Sequence, residues 1–164
     1  MRKPAPLRPA FTLIEVLVVV TIVAIAGAII VPHMLTPSSW GVQAAGRIVI
    51  ADLLFAQNEA IARQATRRVI FDPANNSYRV TDGAGATVDV PFRGGAYLVD
   101  FNRDKRFTGV RLENVAFGGA DPLRIEYDPL GTPSDGGTLD VASNNLTYRI
   151  TIAPITGRIT IAPL

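Results

Sequence analysis

The sequence predicts an α+β fold: a long N-terminal helix, membrane-crossing in its first half and amphipathic in its second, packed on an antiparallel β-sheet or sandwich. Three observations predict it. From Phe11 to Val31 every residue is apolar or small except Thr12, Glu15 and Thr21, and about 20 such residues at roughly 1.5 Å each match the hydrocarbon thickness of a bilayer. From about Val42 to Ala65 apolar residues recur at helical spacing. From Arg67 onward the period falls to two, in short runs divided by turn residues. The expected parts are a basic segment at 1–10, a transmembrane helix at 11–32, its amphipathic continuation at 42–65 and a β-rich head at 66–164.

The basic segment sets orientation. The chain of 164 residues carries 16 Lys and Arg against 14 Asp and Glu. Arg2, Lys3 and Arg8 all precede the apolar run; without these three, 13 basic face 14 acidic side chains. The surplus therefore holds the N-terminus on the cytoplasmic side and sends the C-terminal part across the membrane. There are no cysteines, which excludes disulfides, thiol catalysis and cysteine metal sites.

Residues 1–32 admit three readings. A cleaved secretory signal has a shorter apolar run closed by a small-residue cut site, and no A-x-A pattern precedes Pro32. A plain signal anchor accounts for length and charge but gives Glu15 no role. The third reading comes from the string "AFTLIEVLVVVTIVAIAGAIIVP", which resembles the N-terminus of type IV pilin-like proteins. The resemblance implies that 1–10 is a cleaved prepilin leader, removed between Ala10 and Phe11 by a membrane peptidase that also methylates the new Phe11 amine. The family usually has Gly before the cut; this chain has the small Ala10. A lone ionised carboxylate in lipid is costly and usually finds a partner. Cleavage would supply one, since the Phe11 ammonium lies in the same layer as Glu15. Glu15 then pairs with the Phe11 amine of a neighbouring subunit as an assembly register, or with its own. Pro32 lacks a donor and disfavours helix before it, so it is expected to kink the helix or end its membrane part.

In the amphipathic segment Val49, Ile50, Leu53, Leu54, Ala60, Ile61 and Ala65 form the expected apolar stripe, with Asp52, Glu59 and Arg63 opposite. Glu59 and Arg63 are a favourable i,i+4 pair. Ile48 and Phe55 sit towards the polar side, covering a strand edge of the same domain or touching a neighbour's helix. The strands follow as "RRVIFD", "SYRVT", "TVDV", "AYLVDF", "GVRLENVAF", "LRIEY", "GTLDV", "LTYRITI" and "GRITIA", between turn signals such as "PANN", "DGAG" and "DPLGTPSDGG".

The stretch "LRIEYDPLGTPSDGGTLDV … YRITIAPITGRITI" is similar to the C-terminal part of H-type minor pseudopilins, the GspH family, and of related minor pilins. Tyr127, Asp128, Pro129, Gly131, Gly136, Gly137, Gly157 and Arg158 fill the family's turn motif, over a region from about Gly46 to Ala162. The resemblance implies a pilin-like fold and a minor pseudopilin of a type II secretion pseudopilus, supporting protein export across the outer membrane. A minor type IV pilin for pilus biogenesis or DNA uptake is the alternative. Implied partners are the prepilin peptidase and methylase, other major and minor pseudopilins, the bacterial inner membrane and secreted proteins. The head is expected in the periplasm.

No enzyme site emerges. The single His33 lies beside the membrane run, so a Ser-His-Asp triad is not expected, and "DGAGA" and "GGAYLVDF" lack phosphate-loop spacing. No metal or cofactor is expected. Asp100, Asn102 and Asp104 repeat the opening of a calcium loop, but Lys105 stands where glycine belongs and no Glu closes it, so an ordinary polar loop is preferred. Phosphate contacts need clustered Lys and Arg. Arg103, Lys105 and Arg106 are the one dense group, interrupted by Asp104, while Arg149 and Arg158 stand apart, so DNA is not an expected partner.

Overall fold

A computed structural model describes residues 12–34, 38–90, 94–144 and 146–164, with side chains at 28–34 and at 38–39 outside the description. The chain forms two compact units, Met1–Pro37 and Ser38–Leu164. In the first, α1 spans Leu13–Met34. It runs on through Pro32 for two residues, so the proline lies in its last turn.

In the second unit α2, Ser38–Arg63, begins ahead of the expected Val42. Val42, Ala45, Val49, Leu53, Ala56 and Ala60 are all fully buried, a stripe at i, i+3, i+7, i+11, i+14 and i+18. The stripe is rotated from the expected one. Leu54 and Ile61 face solvent, and Asp52, expected opposite the stripe, is buried at 2% exposure. Val49, Leu53 and Ala60 of the expected stripe are buried, while Val42, Ala45 and Ala56, which lay outside it, complete the face. Ile48 and Phe55 pack on the core of their own domain, where Phe55 stacks on Tyr97 with centroids 4.8 Å apart.

Ten strands follow. β1 (Arg67–Asp72), β2 (Ser77–Asp82), β5 (Leu98–Asp100) and β7 (Arg124–Tyr127) form one four-stranded sheet in the order β5-β2-β1-β7. β6 (Arg111–Phe117), β8 (Gly137–Ser143), β9 (Leu146–Ile152) and β10 (Ile159–Pro163) form a second in the order β10-β9-β8-β6. A two-stranded ribbon joins β3 (Asp89–Val90) to β4 (Gly95–Ala96). Every pairing is antiparallel, as the period-two pattern and short connections require.

Alternation decides which face is buried. Val69 and Phe71 on β1 stand opposite Val80 and Tyr78 on β2, and all four are buried. Leu139 and Val141 on β8 stand opposite Ile150 and Tyr148 on β9; the first three are buried and Tyr148 is half-buried against the same core. The helix α2 lies against β1 and β7 of one sheet and β8 and β9 of the other, so its apolar face is where the two sheets share a core. Phe71 stacks on Phe117 at 5.6 Å and links the sheets directly. Each fully buried Val or Leu contributes about 1.5–3 kcal/mol.

Candidate functional site

The first region lies at the start of α1. Thr12 precedes the helix, and its Oγ1 accepts from the Glu15 N–H at 3.3 Å, the geometry of an N-terminal cap three residues on. Glu15 lies in the first turn, where the helix dipole favours a negative charge. Its carboxylate is exposed and has no hydrogen bond or ion pair among the described residues. Around it Leu13, Val16, Val19, Val20, Ile22, Val23 and Ile25 are exposed, so the helix is apolar on all sides rather than along a stripe. Such a surface is covered by lipid or by other helices. Thr21 donates its hydroxyl to the Leu17 carbonyl at 2.8 Å, so its own donor is satisfied within the helix. Side chains of α1 are described only as far as Gly27, and among the described residues no helix is long and apolar enough to cross a membrane. Ala10 and Phe11, the expected cleavage and methylation positions, lie outside the described residues; the side chain of Pro32 does as well.

The second region is built by the turn motif of the head. After β7, the Asp128 Oδ1 accepts from the N–H groups of Leu130 at 2.9 Å and Thr132 at 2.8 Å. The Gly131 N–H closes the turn on the Asp128 carbonyl at 2.9 Å. Pro129 fits the first central position of that turn because its φ is already set. Gly131 has φ 80° and Gly157 has φ 64°, a region L side chains rarely adopt. Both turns close on one residue of α2 that sequence reasoning missed, Gln57. Its Nε2 donates to the Gly131 carbonyl at 2.8 Å. A Cβ at Gly157 would stand 2.7 Å from the same Nε2, and one at Gly131 would stand 2.6 Å from Ile61 Cδ1. The motif residues Asp128, Gly131 and Gly157 are thus a clasp around the helix. Arg158 is exposed beside it. Tyr127 is buried under the turn, and burial pushes its phenol well above the usual tyrosine range; its hydroxyl has no hydrogen-bond partner among the described residues.

A buried polar centre was also missed. Asp52 accepts hydrogen bonds from the Tyr78 and Tyr97 hydroxyls, each at 2.6 Å. It ties α2 to β2 and to the start of β5 in the middle of the apolar interface. The signal available was its place: Asp52 falls three residues after Val49 and four before Ala56, inside the stripe, where an acid must find donors. Asn76, at φ 53° after the β1–β2 turn, is the second strut. Its amide accepts from the Leu112 N–H at 2.9 Å and donates to the Val110 carbonyl at 2.7 Å, pairing with β6 as a backbone segment would.

The acidic loop is occupied from within. Asp100 forms an ion pair with Arg103 at 3.1 Å and accepts from the Asn102 N–H. Asp104 caps the 3-10 turn Lys105–Phe107 and is bound by Arg106 at 2.6 Å, which holds its carboxyl below the usual range. Asn102 bonds Asn75 and Asn76. Among the described residues no cluster of His, Cys, Asp or Glu is arranged to hold a metal ion. Arg149, weighed above as a phosphate contact, instead makes a two-pronged ion pair with buried Asp140 at 2.8 Å.

Comparison with known proteins finds matches that span both regions. The model described as the prokaryotic N-terminal methylation motif matches residues 8–31, and the model described as type II transport protein GspH matches residues 45–157. Over 155 residues the chain is 28% identical to type II secretion system protein H of Xanthomonas campestris pv. campestris, covering 93% of this chain and 82% of that protein. In structure it is similar to the type IV minor pilin FimU of Pseudomonas aeruginosa (TM-score 0.54, 16% identity, 74% of this chain and 88% of that one). It is likewise similar to the minor pseudopilin EpsH of Vibrio cholerae (TM-score 0.51, 14% identity, 74% and 95%).

Proposed function

Because the chain belongs to the GspH family of type II transport proteins, we propose a path by which this minor pseudopilin enters the pseudopilus. The family is structural, not enzymatic. The methylation motif implies processing by a prepilin peptidase, and the family implies pseudopilus partners. The peptidase cuts between Ala10 and Phe11 on the cytoplasmic face of the inner membrane, and the Phe11 amine is methylated. The matched motif brackets that bond, since it begins two residues before Ala10. The N-terminus stays cytoplasmic, α1 spans the membrane within 11–32, and the head enters the periplasm.

Glu15 then meets the Phe11 ammonium of a neighbouring pseudopilin. The observation that carries this reading is the carboxylate on an all-apolar helix with no partner among the described residues of its own chain. In lipid such a group is costly by a few kcal/mol, so a neighbour's amine draws subunits out of the bilayer and sets their stagger. The clasped head is displayed at the filament surface, where it contacts other minor subunits or secreted proteins.

The fold does not separate pseudopilin from minor pilin, since one solved relative of each kind is comparably similar. The family match and the secretion-system relative favour secretion. The test is Glu15→Ala in a secreting strain. Processing is expected to continue, because the cut site is untouched, while the protein is lost from sheared pseudopili; normal incorporation would contradict the pairing.

A further inference from the structure

Trp40 is the only tryptophan of the chain and stands 79% exposed near the start of α2. Its neighbour Gly41 packs tightly: a Cβ there would meet the Arg106 carbonyl at 3.2 Å. Trp40 therefore sits beside the 3-10 turn Lys105–Phe107, which packs on α2. That turn is anchored from below, since Phe107 is buried and meets Phe101 edge-on at 5.3 Å. Its upper side is charged. The side chains of Arg103 and Arg106 are 83% and 76% exposed, and Lys105 is exposed as well. Against these three cations stand two carboxylates, Asp100 and Asp104, leaving the stretch net positive.

An indole among cations is poorly matched to bulk water and equally poorly matched to a dry apolar core. It fits the layer of phospholipid headgroups, where an apolar ring and a polar N–H are both accommodated and Trp is enriched. Phosphates in that layer attract Lys and Arg. Position in the chain agrees. Trp40 follows Met34, the end of α1, by six residues of sequence. A protein-docking hot spot is dominated by apolar anchors; in the adjoining stretch 102–108 the exposed side chains are Asn102, Arg103, Lys105, Arg106 and Thr108, with Leu98 exposed nearby.

We propose that Trp40, with the cationic turn Arg103–Lys105–Arg106, seats the head on the phospholipid headgroups of the leaflet from which it emerges. The seat rests on the reading of α1 as a membrane anchor. It would hold the head against the bilayer before the subunit is drawn into the filament.

The single tryptophan makes the test direct. The full chain is reconstituted into vesicles of phosphatidylethanolamine and phosphatidylglycerol, and two measurements are made. Flotation with the vesicles reads the anchor. Trp40 fluorescence reads the seat: expected are a blue-shifted emission, acrylamide quenching severalfold weaker than for N-acetyltryptophanamide, and strong quenching by headgroup-labelled lipid. Lys105→Glu is expected to restore part of the acrylamide quenching without changing flotation. If the chain floats but Trp40 is quenched like the free indole, the seat is wrong while the anchor stands, and a protein partner takes its place. If the chain does not float, the anchor reading itself fails.

Discussion

Glu15 and Gln57 are both polar side chains on helices rich in apolar residues, and their surroundings differ in a way that separates assembly from folding. Glu15 has nothing in its own chain to answer it among the described residues, so its partner is sought in another molecule. Gln57 is answered twice within the head, by a bond to the Gly131 carbonyl and by close contact with Gly157. Gly157→Ala is expected to destabilise the head by about 1–2 kcal/mol through its left-handed backbone, with further loss from the crowded amide. In a Gln57→Ala background the crowding disappears, so the two substitutions should cost less together than their sum; urea unfolding of the four variants measures this coupling. Asp140 gives a pH prediction. The two-pronged bond from Arg149 lowers its pKa below the ordinary 3.8, against desolvation, with Asn114 helping. A depressed carboxyl contributes stability above its unfolded value and loses it as pH falls through the folded one. Urea midpoints should therefore hold from pH 7 to 5 and drop below about pH 4, with a smaller drop in Asp140→Asn.

Among the elements, α2 carries the clearest lesson about what a sequence discloses. Its existence and approximate extent were legible from periodicity, as were the strands from "RRVIFD" to "GRITIA". Its buried face was legible only in part, through Val49, Leu53 and Ala60. Leu54 and Ile61 look like core residues and are exposed, whereas Ala45 and Ala56 carry little hydrophobic weight yet are fully buried against the sheets. Small residues allow that packing, and a scale that counts apolar surface discounts them. Asp52 was misplaced for the same reason, because an acid reads as solvent-facing until Tyr78 and Tyr97 are known to meet it. Adjacent leucines test the corrected face. Leu53→Ala should cost about 2–5 kcal/mol as a cavity in the shared core, while Leu54→Ala should fall within about 0.5 kcal/mol of the parent. Equal costs would return the stripe to its expected setting.

For the whole molecule, the sequence disclosed most where chemistry is local. The basic segment, the apolar run and Glu15 lie within a few residues of one another, so the methylation motif they form was readable without a fold. The turn motif was readable as turns, through Asp128, Pro129, Gly131 and Gly157, but its purpose was not. That purpose depends on Gln57, some 74 residues before Gly131, and no local pattern points to a residue so far away. The acidic loop shows the converse, a local pattern whose carboxylates the fold assigns to Arg103 and Arg106. In the proposed path, entry into the filament depends on the amine at Phe11 being freed. Mass analysis of the N-terminus of the membrane-bound protein from a secreting strain tests this most directly. The expected terminus is N-methylated Phe11 with residues 1–10 removed; functional protein that still begins at Met1 would contradict the account.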